Sequence, residues 1–403
     1  MGSVFAFYKK GFPMKFFLDD NVYDAAIERI EYLFDEFDEV IVSFSGGKDS
    51  TIVLNLCLEV AESKGKLPVK VMFVDQEAEW DAVIQYVRKV MNDPRVDPQW
   101  LQVPIKLFNA ASMESSWLHC WAEGEEWMRP KEPNSIHNNV YGTDRFTTMF
   151  TKYLQHTFPD KTIANVGGVR AEESPNRRAG LTTGQTYKHI TWGKKENEKL
   201  GHYTFYPIYD WSYKDVWKAI HDNEWDYCTI YNEFWRHGIQ PMKMRVSNLH
   251  HETAIDQLFY LHEMEADTWN ALTKRLGGIN QAKHMSKKDM FSIKTLPWMF
   301  SDWVEYRDYL VDNLVQTEER REVFRKEFKK MDTKFANMAL AEERHKSEVL
   351  CILANDWHFT KLQNFLGRPE TINFLKLQRG QAIDWNRPER DLRYIKPEHR
   401  GVA

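Results

Sequence analysis

The sequence predicts an α/β protein: a mostly parallel, doubly wound sheet followed by a mainly helical carboxyl-terminal region. Three observations carry that prediction. Between residues 22 and 170, short runs rich in β-branched residues alternate with segments of helical spacing, the pattern of successive βαβ units. Two of the apolar runs end directly in glycine pairs, at 46–47 and 167–168. Beyond residue 215 the strand pattern stops and helical periodicity takes over.

Taken in order, Val22, Ala26, Ile30, Leu33 and Phe37 recur at helical spacing and predict a helix over 22–37. Val40 to Phe44 is a short β-branched run, read as a buried strand. After the first glycine pair, Ile52, Val53, Leu56, Leu58 and Val60 predict a buried helix. LPVKVMFVD (67–75) reads as a second strand, DAVIQYVRKVM (81–91) as a helix and WLQVPIKLF (100–108) as one further strand. DRFTTMFTKYLQHTF (144–158) reads as a helix, and KTIANVGGVR (161–170) as a strand ending in glycines. In the second half, YKDVWKAIHD (213–222) and 252–276 are helical. Residues 317–346 read as one long charged helix, and 380–403 as a Pro/Arg-rich tail. The charged helix suits a solvated face, with an arm for protein or nucleic acid as the other reading. Two domains are expected, 1–245 and 246–403.

Composition sets limits. A chain of 403 residues fits one large domain or two ordinary ones. With 42% hydrophobic and 28% charged residues it matches soluble globular proteins, and 15 Trp supply core material. A net charge of −5 argues against a whole-surface nucleic-acid binder while leaving room for a local basic patch. No apolar run reaches the roughly 20 residues of a membrane span, so no membrane partner is expected. MGSVFAFYKKGFPMKFF lacks the layout of a signal peptide. Cys57, Cys120, Cys228 and Cys351 lie far apart with no C-x-x-C, so neither zinc nor an iron–sulfur cluster is expected. Scattered thiols suit a reducing cytoplasm.

The chemistry starts at Ser45-Gly46-Gly47-Lys48-Asp49-Ser50, between an apolar strand and an apolar helix. Backbone N–H groups at a helix start, glycines that permit close approach, and a lysine make an anion cradle. Asp49 is placed to cap the helix or reach a metal ion. The spacing excludes G-x-x-x-x-G-K-[ST], because Val42 and Asp49 stand where that motif needs glycine and Ser/Thr. G-x-G-x-x-G is absent as well. Arg170 ends the later strand, near enough for a phosphate. Arg177 and Arg178 follow a proline, as an anion clamp or as plain surface charge. Asp75 follows the second strand as a Mg²⁺ or nucleotide contact, or as a turn residue. Glu77 and Glu79 read as further acids of that kind, or as the first turn of a helix beginning near 79. His250-His251-Glu252 lacks the histidine at 255 that H-E-x-x-H requires, which leaves polar packing or a phosphate contact for the histidines. The tryptophans at 192, 211, 217 and 235 are read mostly as core.

Ser45 to Ser50 resembles the SGGxDS loop of the PP-loop ATP pyrophosphatases. Val169-Arg170-Ala171-Glu172-Glu173-Ser174, continuing to Arg177 and Arg178, looks like an element of phosphoadenosine phosphosulfate (PAPS) reductases and the small ATP sulfurylase subunit. Pro207 to Trp217 is similar to their P-[IL]-x-x-W-x-x-x-D-V-W element, Tyr231-Asn232 with Gly238 echoes their Y-N-x-L-Y-x-x-G segment, and Val74-Asp75-Gln76-Glu77 stands where they carry V-D-T-G. The likeness covers about 22–245. The stretches DQEAEW, YGTDRF, GGVRAEESPNRR, HITWGK and MRVSNLHHETA further resemble the immunoglobulin-binding-regulator A-like proteins, which typically occur beside a ParB/sulfiredoxin-like partner.

This resemblance implies a site for ATP with Mg²⁺, the metal on Asp49 and Asp75. It implies nucleotide contacts from Ser43, Ser45, Gly46, Gly47, Lys48, Asp49 and Ser50, from Val74, Asp75 and Gln76, and from Gly167, Gly168, Arg170, Glu173, Arg177 and Arg178. Lys48, Asp49 and Arg170 are the catalytic candidates. The implied reaction is cleavage between the α- and β-phosphates. The E-C-G-L-H motif that carries the reductase cysteine is missing. Cys351 stands in apolar VLCILAN and Cys228 has no helper beside it, so reductase activity is not expected. Two uses remain open: turnover of ATP on an acceptor, or a nucleotide-dependent switch that works with a ParB/sulfiredoxin-like protein or with nucleic acid.

Overall fold

The computed structural model describes residues 19–395, apart from 110–116, 183–185, 252–253, 278, 280–294, 316, 337, 339–340, 355, 357 and 387–388. The amino-terminal stretch, Glu252 and the tail beyond 395 lie outside the described residues.

The first helix, α1 (Val22–Glu36), starts where Asn21 Oδ1 accepts the Tyr23 N–H at 2.9 Å, and it buries Ala26, Ile30, Leu33 and Phe34. It leads into β1 (Glu39–Ser43), whose central residues are buried on both sides. Then come α2 (Lys48–Ser63), β2 (Val69–Val74), α3 (Asp81–Met91) and β3 (Val96–Leu101). A separate antiparallel pair follows, β4 (Ile105–Phe108) and β5 (Trp117–Cys120). The run 100–108 is therefore two strands that part at Gln102 to Pro104, because proline cannot donate to a ladder and Gln102 turns its side chain inward. After α4 (Phe146–Thr157) come β6 (Ile163–Gly167), α5 (Pro175–Thr182), β7 (Gly193–Asn197) and β8 (His202–Phe205).

The main sheet has six strands in the order β3-β2-β1-β6-β8-β7. β1 runs parallel to β2 and to β6, β6 runs parallel to β8, and only β7 against β8 is antiparallel among the pairings with a defined register. The mostly parallel, doubly wound α/β class predicted from the sequence is the observed one. The chain winds outward from β1 to β2 and β3, then returns to the other side of β1 at β6. That reversal makes the carboxyl ends of β1 and β6 a topological switch point, where open α/β sheets hold ligands. Register pairs Ser43 with Gly167, so the two glycine turns leave the sheet side by side.

The chain divides into two compact units. One comprises residues up to Phe73, Gln85–Trp100 and Leu154–Met244; the other comprises Val74–Ile84, Leu101–Tyr153 and Arg245 onward. The first unit continues with α6 (Tyr213–Asp222), which opens on a capping box between Ser212 and Asp215, and α7 (Ile230–Arg236).

The second unit continues with α8 (Ile255–Met264) and α9 (Ala266–Arg275). The stretch 252–276 is thus broken at Glu265, whose carboxylate accepts the N–H groups of Asp81 and Ala82 at 2.7 and 2.9 Å and so caps α3. Among the described residues the helices that follow are α10 (Trp303–Leu314), α11 (Glu318–Lys334), α12 (Glu342–Leu353), α13 (Thr360–Leu366) and α14 (Pro369–Gln378). The single helix read over 317–346 is two helices. Phe335 ends the first and turns its ring onto Phe365 and Phe374, and Met338 is buried with it. Beside it, Arg307, Arg344, Asp332, Glu348 and His345 form a buried ionic cluster. Ligand-type atoms of Asp332, His345 and Glu348 lie within 4.8 Å of one another, but both carboxylates already bond arginines. Among the described residues no helix is long and apolar enough to cross a membrane.

Candidate functional site

The loop after β1 is built for an anion. Gly46 has φ near +70°, a backbone conformation that glycine adopts without strain, and it swings the chain into α2. Gly47 is the N-cap and carries no side chain to fill the helix end. Ser50 Oγ donates to Gly47 O at 2.9 Å and accepts the Ser45 N–H at 3.2 Å, while Ser45 Oγ lies 3.1 Å from Ser50 Oγ. The turn is therefore tied from inside. Among the described residues the N–H groups of Gly46, Gly47 and Asp49 have no acceptor. They sit at the positive end of a 16-residue helix.

Two cations meet one carboxylate in front of that helix end. Asp49 Oδ1 accepts Arg170 Nε at 2.5 Å, and Asp49 Oδ2 accepts Lys48 Nζ at 3.1 Å. Both cationic side chains are 5% exposed. Lys48 Nζ also donates to Met244 O at 3.1 Å. The Lys48 N–H donates to the hydroxyl of Tyr231 at 3.0 Å. Tyr231 lies on α7, packed edge to face against Trp217 of α6. Burial, with the Asp49 charge behind it, holds the Tyr231 phenol well above its usual value, so it keeps its proton.

The turn after β6 closes the other side. A Cβ on Gly168 would lie 2.6 Å from Asp49 C and 2.7 Å from Asp49 O and Ser50 N, so this position admits only glycine without a shift of α2. Arg170 is further fixed by its backbone N–H on Glu173 Oε2 at 3.3 Å. Arg177, on α5, is exposed and 3.3 Å from Glu173; Arg178 is exposed on the same helix. Ser43 donates to Asn165 Oδ1 at 2.6 Å, tying β1 to β6 below the loop.

In the second unit, Val74, Asp75 and Gln76 follow a different logic. Asp75 is fully buried and holds Arg129 Nη2 at 2.7 and 2.8 Å and Gln102 Nε2 at 2.9 Å. Gln76 O accepts the Cys120 thiol, and Val74 is buried. Glu77, also fully buried, accepts Arg275 Nε at 2.6 Å and the N–H groups of Trp121 and Met128. α3 begins at Asp81, so Glu77 and Glu79 precede it and are not its first turn. Burial, reinforced by Asp75, raises Glu79 to about 8 against the opposing pull of Arg129. Neither the Asp49 nor the Asp75 carboxylate is free: each already faces cationic side chains. As arranged they do not fit Mg²⁺, and no step below runs through a metal.

Other sequence candidates resolve simply. Burial lowers His250 to about 3, which keeps it neutral. All four cysteines are free thiols and buried, and burial raises Cys57, Cys120 and Cys351. Trp211 is core, whereas Trp235 is 64% exposed. The sequence reading did not assign Tyr231, Met244, Arg129 or Arg275. For Tyr231 the Y-N match was a usable signal; for the others nothing local distinguishes them.

The sheet, its switch point and this loop define a nucleotide-binding PP-loop class of protein. The chain belongs to the phosphoadenosine phosphosulfate reductase domain family, which it matches over residues 39–280. It is 27% identical over 311 residues to the uncharacterized protein YbdN of Escherichia coli (strain K12), covering 73% of this chain and 75% of that one. Among solved structures it is similar to Candida glabrata FMN adenylyltransferase in complex with FAD and inorganic pyrophosphate. That match has a TM-score of 0.33 and 15% identity, over 52% of this chain and 59% of that one. It is also similar to the PAPS reductase of Candida auris in a phosphate complex, with a TM-score of 0.31 and 13% identity, over 56% and 89% of the two chains.

Proposed function

We propose that the chain binds ATP by its pyrophosphate end at the Ser45–Ser50 loop and cleaves it between the α- and β-phosphates, transferring the adenylyl group to an acceptor. One observation carries this reading: open N–H groups at the start of α2 stand beside two cations, Lys48 and Arg170, that share the Asp49 carboxylate. A bound pyrophosphate group offers those cations more negative charge than Asp49 alone. In the reaction the acceptor oxygen attacks the α-phosphorus, and the bond from that phosphorus to the α,β-bridging oxygen breaks. Pyrophosphate departs with the electron pair, and the acceptor's proton passes to solvent. Lys48, Arg170 and the loop N–H groups stabilise the charge that gathers on the leaving group. Asp49 bridges the cations until then.

The test is incubation of the full chain with α-³²P-ATP, alone and in cell extract. Labelled AMP or a labelled adduct, lost in Lys48→Ala, is the expected result. Tight ATP binding with neither product under any condition would sink the cleavage reading. It would leave a nucleotide switch, to be pursued by co-purification with a ParB/sulfiredoxin-like partner.

A further inference from the structure

Tyr231 has a donor it does not use. Its hydroxyl oxygen accepts the Lys48 N–H at 3.0 Å, and among the described residues nothing accepts the hydroxyl's own hydrogen. A buried O–H without an acceptor is disfavoured unless something arrives to take it. The hydroxyl is also in the right place. It lies 3.4 Å from the point where a Gly47 Cβ would sit, at the N-cap of α2, among the open N–H groups of Gly46, Gly47 and Asp49. Its ring is held by Trp217 on one side and Phe234 on another, so the hydroxyl cannot swing out to water. Lys48 Nζ stands 5.4 Å over the same ring.

We propose that Tyr231 is a phosphate-binding residue of this site, donating its hydroxyl hydrogen to an oxygen of the pyrophosphate group held by the loop. The oxygen of the phenol keeps the Lys48 N–H in line while its hydrogen faces the ligand, so one side chain orders the cradle and completes it. Because the phenol stays protonated, the donor persists across the usable pH range. This inference rests on the proposed function, since it requires a pyrophosphate group at the loop.

The experiment is calorimetric titration of the full chain with inorganic pyrophosphate and, separately, AMP. In Tyr231→Phe, pyrophosphate affinity is expected to fall about ten- to hundredfold, the effect of losing a hydrogen bond to a charged oxygen. AMP affinity and the melting temperature should stay near those of the unaltered chain. Equal pyrophosphate affinity in the two proteins would overturn the Tyr231 assignment and leave the loop reading intact. If the unaltered chain binds neither pyrophosphate nor ATP, the loop reading itself fails, and Tyr231 with it. Should Tyr231→Phe melt early, 3-fluorotyrosine at 231 keeps the shape and sharpens the donor. Severalfold tighter pyrophosphate binding supports the assignment, and unchanged binding overturns it.

Discussion

Two buried charge clusters in this protein look alike on paper and behave differently. In the carboxyl-terminal helices, Arg307 and Arg344 meet Asp332 and Glu348, with two carboxylates for two arginines, and each of the four has an opposite charge within 3.2 Å. At the loop, Lys48 and Arg170 share Asp49, and among the described residues three backbone N–H groups beside them stay open. The first cluster balances its charges and holds helices together, with one buried donor, Arg344 Nε, left unanswered. The second carries more donors than acceptors, which is the condition of a site waiting for an anion. The count of unanswered donors separates them, more than burial does.

Glu348→Ala removes a fully buried carboxylate from two arginines. It should lower unfolding free energy by about 3–5 kcal/mol, because the two buried arginines lose their one fully buried counter-charge and are left to share the half-exposed Asp332. Chemical denaturation checks this, and ATP affinity should not change. Gly168→Ala is next. Its Cβ collides with the Asp49 and Ser50 backbone, so a stability loss of about 1–3 kcal/mol is expected, together with loss of ATP binding. Lys48→Ala should weaken ATP about ten- to hundredfold in a direct titration. Its effect on stability should be slight, because Asp49 keeps Arg170.

A further effect concerns pH. Glu79 is raised from the ordinary 4.5 to about 8, so the folded protein holds a proton that the unfolded chain has released. Its contribution to stability is full below 4.5 and drains away as pH rises through about 8. In Glu79→Gln the melting temperature should lose that decline, measured by thermal melts across the interval. A curve parallel to the unaltered protein's would show that Glu79 is ionised throughout.

Much of this was legible in the sequence because it is local. Alternating β-branched runs gave the strands, and paired glycines marked the two turns at the switch point. Gly168 was visible as a glycine, but the backbone of Asp49 that makes it necessary was not. What stayed hidden is tertiary. Tyr231 and Met244 reach Lys48 from 183 and 196 residues away. Phe335 ends a charged helix for the sake of a distant core, and Glu265 ends another while capping α3. The acids at 75 and 77 invited a ligand reading because their arginine partners, Arg129 and Arg275, lie 54 and 198 residues off.

The most direct test of the loop is a crystal structure of the full chain with α,β-methylene ATP. The expected result is the β- and γ-phosphates on the N–H groups of Gly46, Gly47 and Asp49, with Lys48 Nζ moved off Asp49 onto a phosphate oxygen. A nucleotide bound elsewhere, with Lys48 still on Asp49 and Met244, would contradict it.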